Sequence, residues 1–168
     1  SSAASDVYKR QVSVDLIGTA YLLDAFVEHA QPGMTVVCIA SMAGAMIPLP
    51  PELEQALAKT PSAELAALPF LDPAALDPQG AYPLAKRANQ LRVQAMAGAY
   101  GAKGARVVSI SPGVVSTPMG QAELGGPAGD MMRAMVEGSA AARLGTPDAV
   151  AYKHLRAQET VLDLVCRL

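Results

Sequence analysis

Charge is scarce in this chain, and so is cysteine. Asp, Glu, Lys and Arg make up 17% of the 168 residues and the formal net charge is only -2 at pH 7. That balance excludes an electrostatic grip on nucleic acid, and with 51% hydrophobic residues it also excludes a disordered chain. A small or uncharged partner is expected. The two cysteines, Cys38 inside "TVVCIA" and Cys166 near the C-terminus, have no Cys or His cluster nearby to complete a metal site. Both read as unpaired thiols of a reducing compartment. No apolar run approaches the roughly 20 residues of a membrane span, and no apolar leader opens the chain. A soluble, cytoplasmic protein is the expectation.

The length suits one domain with a real core. Leu16, Ala20, Leu23 and Val27 recur at three and four, the pattern of an amphipathic helix that "QPG" at 31–33 ends. "MTVVCIA" then reads as a continuous apolar strand covered on both faces. A second helix is expected from about Tyr82 to Tyr100, with Leu84, Ala88, Leu91 and Ala95 on one stripe, followed by the strand "RVVSI" at 106–110. Helix, strand, helix, strand in this rhythm predicts an α/β fold with a right-handed parallel sheet. Between the first strand and the second helix, residues 45–80 form a proline-rich insert with room for short helices such as "ELEQALAK" and for no long one. It leaves the carboxyl end of a strand, where ligands bind in open parallel sheets. It covers a site, or it is a surface elaboration or subunit contact. "GGPAGD" at 125–130 reads as a loop, and with no strand before it, it is not a phosphate cradle.

Three side chains stand out for their chemistry. Tyr82 and Lys86 lie four residues apart and so share a helix face. A phenol alone is too weak an acid to trade protons freely at neutral pH, and a neighbouring ammonium favours its ionised form. Ser41 ends the first strand on the edge that faces the ligand crevice, where its hydroxyl is able to donate to a carbonyl oxygen gaining charge. Taken singly, these residues equally describe a strand-end cap, a half-buried phenol and a solvated cation.

The order of motifs resembles a known family. "IASMAG" (39–44), "YPLAK" (82–86) and "ISPGVVSTPM" (110–119) are similar to the second half of the short-chain dehydrogenases/reductases, Rossmann-type NAD(P)-dependent oxidoreductases, over roughly residues 12–151. The resemblance implies that Ser41 orients the substrate oxygen, Tyr82 is the general acid/base, and Lys86 holds the nicotinamide ribose while assisting Tyr82. It implies that Pro112, Gly113, Val114 and Thr117 fold around the nicotinamide and pyrophosphate of NAD or NADP. The wide separation of Ser41 and Tyr82 resembles the long-insert subgroup that includes bacterial 3α-hydroxysteroid dehydrogenase/carbonyl reductases. This tilts the substrate toward a hydroxysteroid or another bulky apolar alcohol or ketone. Resembling enzymes pair through the two helices, which implies a homodimer or homotetramer.

Two departures from the family pattern matter. Asp15 stands where the family usually carries Asn in a proton relay to the lysine, and a carboxylate there competes for the ammonium. The glycine-rich turn TGxxxGxG that receives the pyrophosphate does not occur in these 168 residues. The chain is therefore expected to be an incomplete Rossmann-type domain, residues 12–151, lacking the first strands and the last one. Residues 1–11 and 152–168 resemble translated adapter sequence and are expected to be non-native tails. The alternative function is a non-catalytic fragment or binding scaffold that keeps the fold without turnover.

Overall fold

The computed structural model describes residues 9–72 and 78–151. Of the two tails, residues 1–8 and 152–168, including Cys166, lie outside the described residues, while Lys9 and Arg10 are already helical. The chain divides into two compact units, Ser1–Ser111 and Pro112–Leu168.

The first unit opens with a wide-turned helix of π geometry, Gln11–Gly18, running without a break into α1, Thr19–Glu28. Strand β1, Thr35–Ile39, lies parallel to β2, Arg106–Ile110, in the register Thr35↔Arg106 to Ile39↔Ile110. Ala40 N–H extends the ladder to the Ile110 carbonyl at 2.8 Å. Between the strands come α2, Met42–Met46, then α3, Pro51–Lys59, two 3₁₀ turns, Ser62–Ala67 and Pro69–Leu71, and the long α4, Pro78–Gly101. This is an α/β architecture with a small parallel sheet flanked by helices, an incomplete Rossmann-type arrangement.

Helix α4 starts earlier than Tyr82, so Pro83 sits inside it rather than at its first turn. An interior proline costs about 3 kcal/mol in an isolated helix, yet Ala81, Leu84 and Ala85 around it are almost fully buried. Their packing holds the extra turn. The predicted stripe holds through Leu91 and then fails, because Ala95 is exposed. The reason is a change of partner along the helix. Leu84, Ala88 and Leu91 pack with Leu16 and Ala20 and with Leu57, Leu65 and Leu71 of the insert. Farther on, Val93 and Tyr100 turn to a second cluster with Leu23, Cys38, Ala105 and Val107, to which half-buried Val27 also belongs. The insert is therefore part of the core of the first unit. Arg92, 4% exposed, fastens it by donating to the carbonyls of Leu57 (3.1 Å) and Thr60 (2.9 Å) and to Ser62 Oγ (2.9 Å), while Ser62 donates to Asp24.

Strand β1 is less covered than its apolar run predicts: Ile39 is 54% exposed, and Val36 and Val37 are only half-buried. Its one strand neighbour among the described residues is β2. In the second unit, Val115 pairs in parallel with Gly145, and two helices follow, α5, Pro118–Leu124, and α6, Gly129–Glu137. Gly129 and Asp130, expected in a loop, begin α6. The Cβ of any other residue at 129 would lie 2.1 Å from the Leu124 carbonyl oxygen, so glycine there permits the tight turn between the helices.

Two buried acids make stability depend on pH. Burial pushes the Cys38 thiol up, with Lys86 opposing it, and burial pushes the Tyr100 phenol up, with Asp24 and Cys38 adding to the shift. Tyr100 meanwhile donates to the Leu23 carbonyl at 2.8 Å. Above the ordinary values of these groups the unfolded chain loses protons that the folded chain keeps. Stability is thus full below about pH 9 and falls as pH rises beyond it. Urea midpoints measured from pH 7 to 11 should trace this fall, and Cys38→Ala should flatten it; an equal slope in the variant would refute the assignment to the thiol.

Candidate active site

Ser41, two residues beyond the end of β1, is in extended conformation (φ -160°, ψ 153°) and caps α2. Its Oγ accepts from Ala43 N–H at 3.2 Å, and its carbonyl accepts from Gly44 N–H at 3.1 Å. The capping role foreseen for a lone serine is real, and it leaves the hydroxyl proton free to donate elsewhere.

Tyr82 and Lys86 lie on one face of α4, with Lys86 Nζ 5.6 Å from the centre of the Tyr82 ring. Tyr82 is 40% exposed, and its hydroxyl makes no hydrogen bond among the described residues. Lys86 Nζ donates to the Ile39 carbonyl at 3.2 Å, which brings the ammonium to the carboxyl end of β1, two residues from Ser41. Asp15 Oδ1 lies 3.9 Å from the same Nζ. The structure thus brings Asp15 and Tyr82 to Lys86, and Lys86 to the strand end that carries Ser41. Asp15 sits in the wide-turned helix, an irregularity frequent at functional sites.

Two residues that the sequence reading passed over fix this meeting. Gly44 packs so closely on α4 that a Cβ there would lie 2.7 Å from both Arg87 N and Lys86 C. Gln90, one turn beyond Lys86, is 7% exposed and donates from Nε2 to the Ser41 carbonyl and to Ser111 Oγ, each at 3.0 Å. A glycine three residues after the serine and an amide on the buried face of the helix one turn beyond Lys86 were the available signals.

Pro112, Gly113, Val114 and Thr117 belong to the second unit. There Gly145 N–H donates to the Val114 carbonyl at 2.9 Å, and Ser116 N–H to the Gly145 carbonyl at 2.8 Å. Thr117 caps α5, its Oγ1 accepting from Gly120 N–H at 3.0 Å, with Pro118 at the first helical position. The Thr117 hydroxyl is a helix cap, and its own proton is still available to a ligand.

Comparison with known proteins bears on the family. A family model described as "Enoyl-(Acyl carrier protein) reductase" matches residues 72–155, half of the chain, including Tyr82, Lys86 and the 112–117 loop. "Short-chain dehydrogenase/reductase bsc3" of Alternaria brassicicola is 35% identical over 120 residues, which cover 70% of this chain and 44% of that protein. The chain thus spans less than half the length of this curated relative. No solved structure matches. With the serine at a strand end, the Tyr-x-x-x-Lys helix docked on that strand and both comparisons in accord, the chain belongs to the short-chain dehydrogenase/reductase family.

Proposed function

We propose that the protein to which this chain belongs is an oxidoreductase that moves a hydride between NAD(P) and an alcohol or ketone. The observation that carries the reading is the anchoring of Lys86 Nζ on the Ile39 carbonyl beside Ser41, with the Tyr82 ring on the same helix face. Tyr82 gives or takes the proton of the substrate oxygen, and Ser41 donates a hydrogen bond to that oxygen as its charge changes. Lys86 has one N–H committed to Ile39, which leaves its remaining donors for the side of Tyr82 and for ribose hydroxyls. This donor set fits the nicotinamide end of NAD(P), which supplies the hydride when bound. The scarcity of charge and the long insert favour a bulky apolar carbonyl compound, of which a hydroxysteroid is one class.

The test is a titration of the full-length protein to which this chain belongs with NADH and with NADPH, followed by turnover assays on apolar ketones. Saturable binding of one dinucleotide and ketone-dependent oxidation support the reading. Failure to bind either would favour the scaffold that keeps the fold without turnover.

Asp15 bears on how Lys86 is held. Its carboxylate lies 3.9 Å from Lys86 Nζ, which also donates to the Ile39 carbonyl. Asp15→Asn should raise kcat by freeing Lys86 from this pairing; an unchanged kcat would separate Asp15 from the proton path.

A further inference from the structure

We infer that Gln90 is the positioning residue for Ser41, and that it is itself aimed from the insert. The inference deepens the oxidoreductase reading and rests on it for the part Ser41 plays. Ser41 has to present its hydroxyl at one fixed point, and the loop that carries it leaves the sheet at the end of β1. Gln90 spans that exit. Its side-chain amide uses both N–H groups, one on the Ser41 carbonyl and one on Ser111 Oγ, so a single buried side chain ties the second residue beyond β1 to the first residue beyond β2. The Ser41 carbonyl then accepts from Gln90 and from Gly44 together, while Ala43 N–H holds Oγ. With the carbonyl pinned at one end and Oγ at the other, the remaining freedom of Ser41 is the direction of its hydroxyl proton.

The amide of Gln90 has to face the right way round for this to work, since reversing it would put oxygen against the oxygen of Ser41. Arg87 sets the orientation: its Nη1 donates to Gln90 Oε1 at 3.3 Å, which accepts only if Nε2 points toward Ser41. Arg87 is in turn held by Glu54 of α3, with Nε donating to Oε1 at 2.8 Å and Nη2 to the same oxygen. The path runs from Glu54 in the insert through Arg87 and Gln90 to the Ser41 carbonyl. Asn89, the next residue back on α4, is as deeply buried but makes no side-chain hydrogen bond among the described residues. It provides the internal control.

The first measurement needs no cofactor. In the full 168-residue chain, Gln90→Leu should speed amide hydrogen exchange at Ala43 and Gly44, whose N–H groups rest on Ser41, by at least about tenfold, while exchange in the middle of α4 stays unchanged. Asn89→Leu should leave Ala43 and Gly44 as they are. Unchanged exchange in Gln90→Leu, or equal acceleration by both variants, overturns the positional claim. If Gln90→Leu does not fold, Arg87→Met and Glu54→Gln test the same path from its outer end and should give a smaller acceleration at the same two amides; none would overturn the claim.

The second measurement is a double-mutant cycle in ketone reduction. Gln90→Leu should lower kcat about tenfold with KM little changed, and in a Ser41→Ala background its further cost should be less than about twofold. Full additivity would mean that Gln90 does not act through Ser41 and overturns the catalytic claim. A full-length wild-type protein without turnover, or a Ser41→Ala variant of it as active as wild type, fails the oxidoreductase reading instead, and the exchange measurement still decides whether Gln90 holds Ser41.

Discussion

Tyr82→Phe should lower kcat by about 10²- to 10⁴-fold, the range for removing a positioned general acid or base, and leave the fold and the dinucleotide affinity intact. The asymmetry follows from what the hydroxyl touches. Tyr82 is 40% exposed and its oxygen has no hydrogen-bond partner among the described residues, so deleting it strands no buried group. Phenylalanine keeps the ring that faces Lys86, and a surface change of this kind shifts stability by no more than about 0.5 kcal/mol. Single-turnover hydride transfer and an unfolding curve together check both halves. A variant retaining more than a tenth of wild-type kcat would remove Tyr82 from the chemistry, and a large loss of stability would reassign it to the core.

Much of this arrangement was legible in the sequence, for reasons that differ from residue to residue. Periodicity exposed Leu16, Ala20 and Leu23, and Leu84, Ala88 and Leu91, as inward stripes, because burial on a helix repeats at three and four and leaves a pattern in the residue types themselves. The β-branched runs exposed both strands. The spacing of Tyr82 and Lys86 exposed a shared face. What stayed hidden depends on partners distant in the chain. Ala95 continues the stripe of its helix and is exposed all the same, since the contacts of the insert named above reach along α4 only as far as Leu91 and Arg92. The early start of α4 at Pro78 overrides a proline, and only the burial of Ala81, Leu84 and Ala85 accounts for it. The insert, open to several readings as a string of prolines, is resolved by Arg92 and the leucines at 57, 65 and 71 as part of the core. The Ile39 carbonyl that anchors Lys86 is backbone, and backbone acceptors have no signature in side-chain type.

Gly44 is the strongest case of a residue whose meaning is geometric, and it carries the second large prediction. At this position α2 crosses α4 with no side chain between them. A Cβ would sit 2.7 Å from Arg87 N and Lys86 C and 2.9 Å from Lys86 O. All three are backbone atoms, so no rotamer change relieves the overlap, and the two helices have to separate. That separation acts on both sides of the site at once, because α2 is capped by Ser41 and the displaced turn of α4 carries Lys86. Gly44→Ala should therefore destabilise the chain by about 1–3 kcal/mol, the usual cost of overpacking. It should also lower kcat by about 100-fold, as a misplacement near 1 Å does. The kinetic loss has to persist at temperatures where the variant is fully folded, which separates misalignment from unfolding. Gly98, on α4, is the contrast: a Cβ there meets nothing within 4 Å, so Gly98→Ala gains helix propensity without a clash and should stabilise by about 0.4–1 kcal/mol with kcat unchanged. Two identical substitutions, one in α2 and one in α4, thus differ in sign because one glycine fills a helix crossing and the other faces open space. If Gly44→Ala were as harmless as Gly98→Ala, the close approach of α2 to α4, and with it the means by which Ser41 and Lys86 are held at one end of β1, would have to be abandoned.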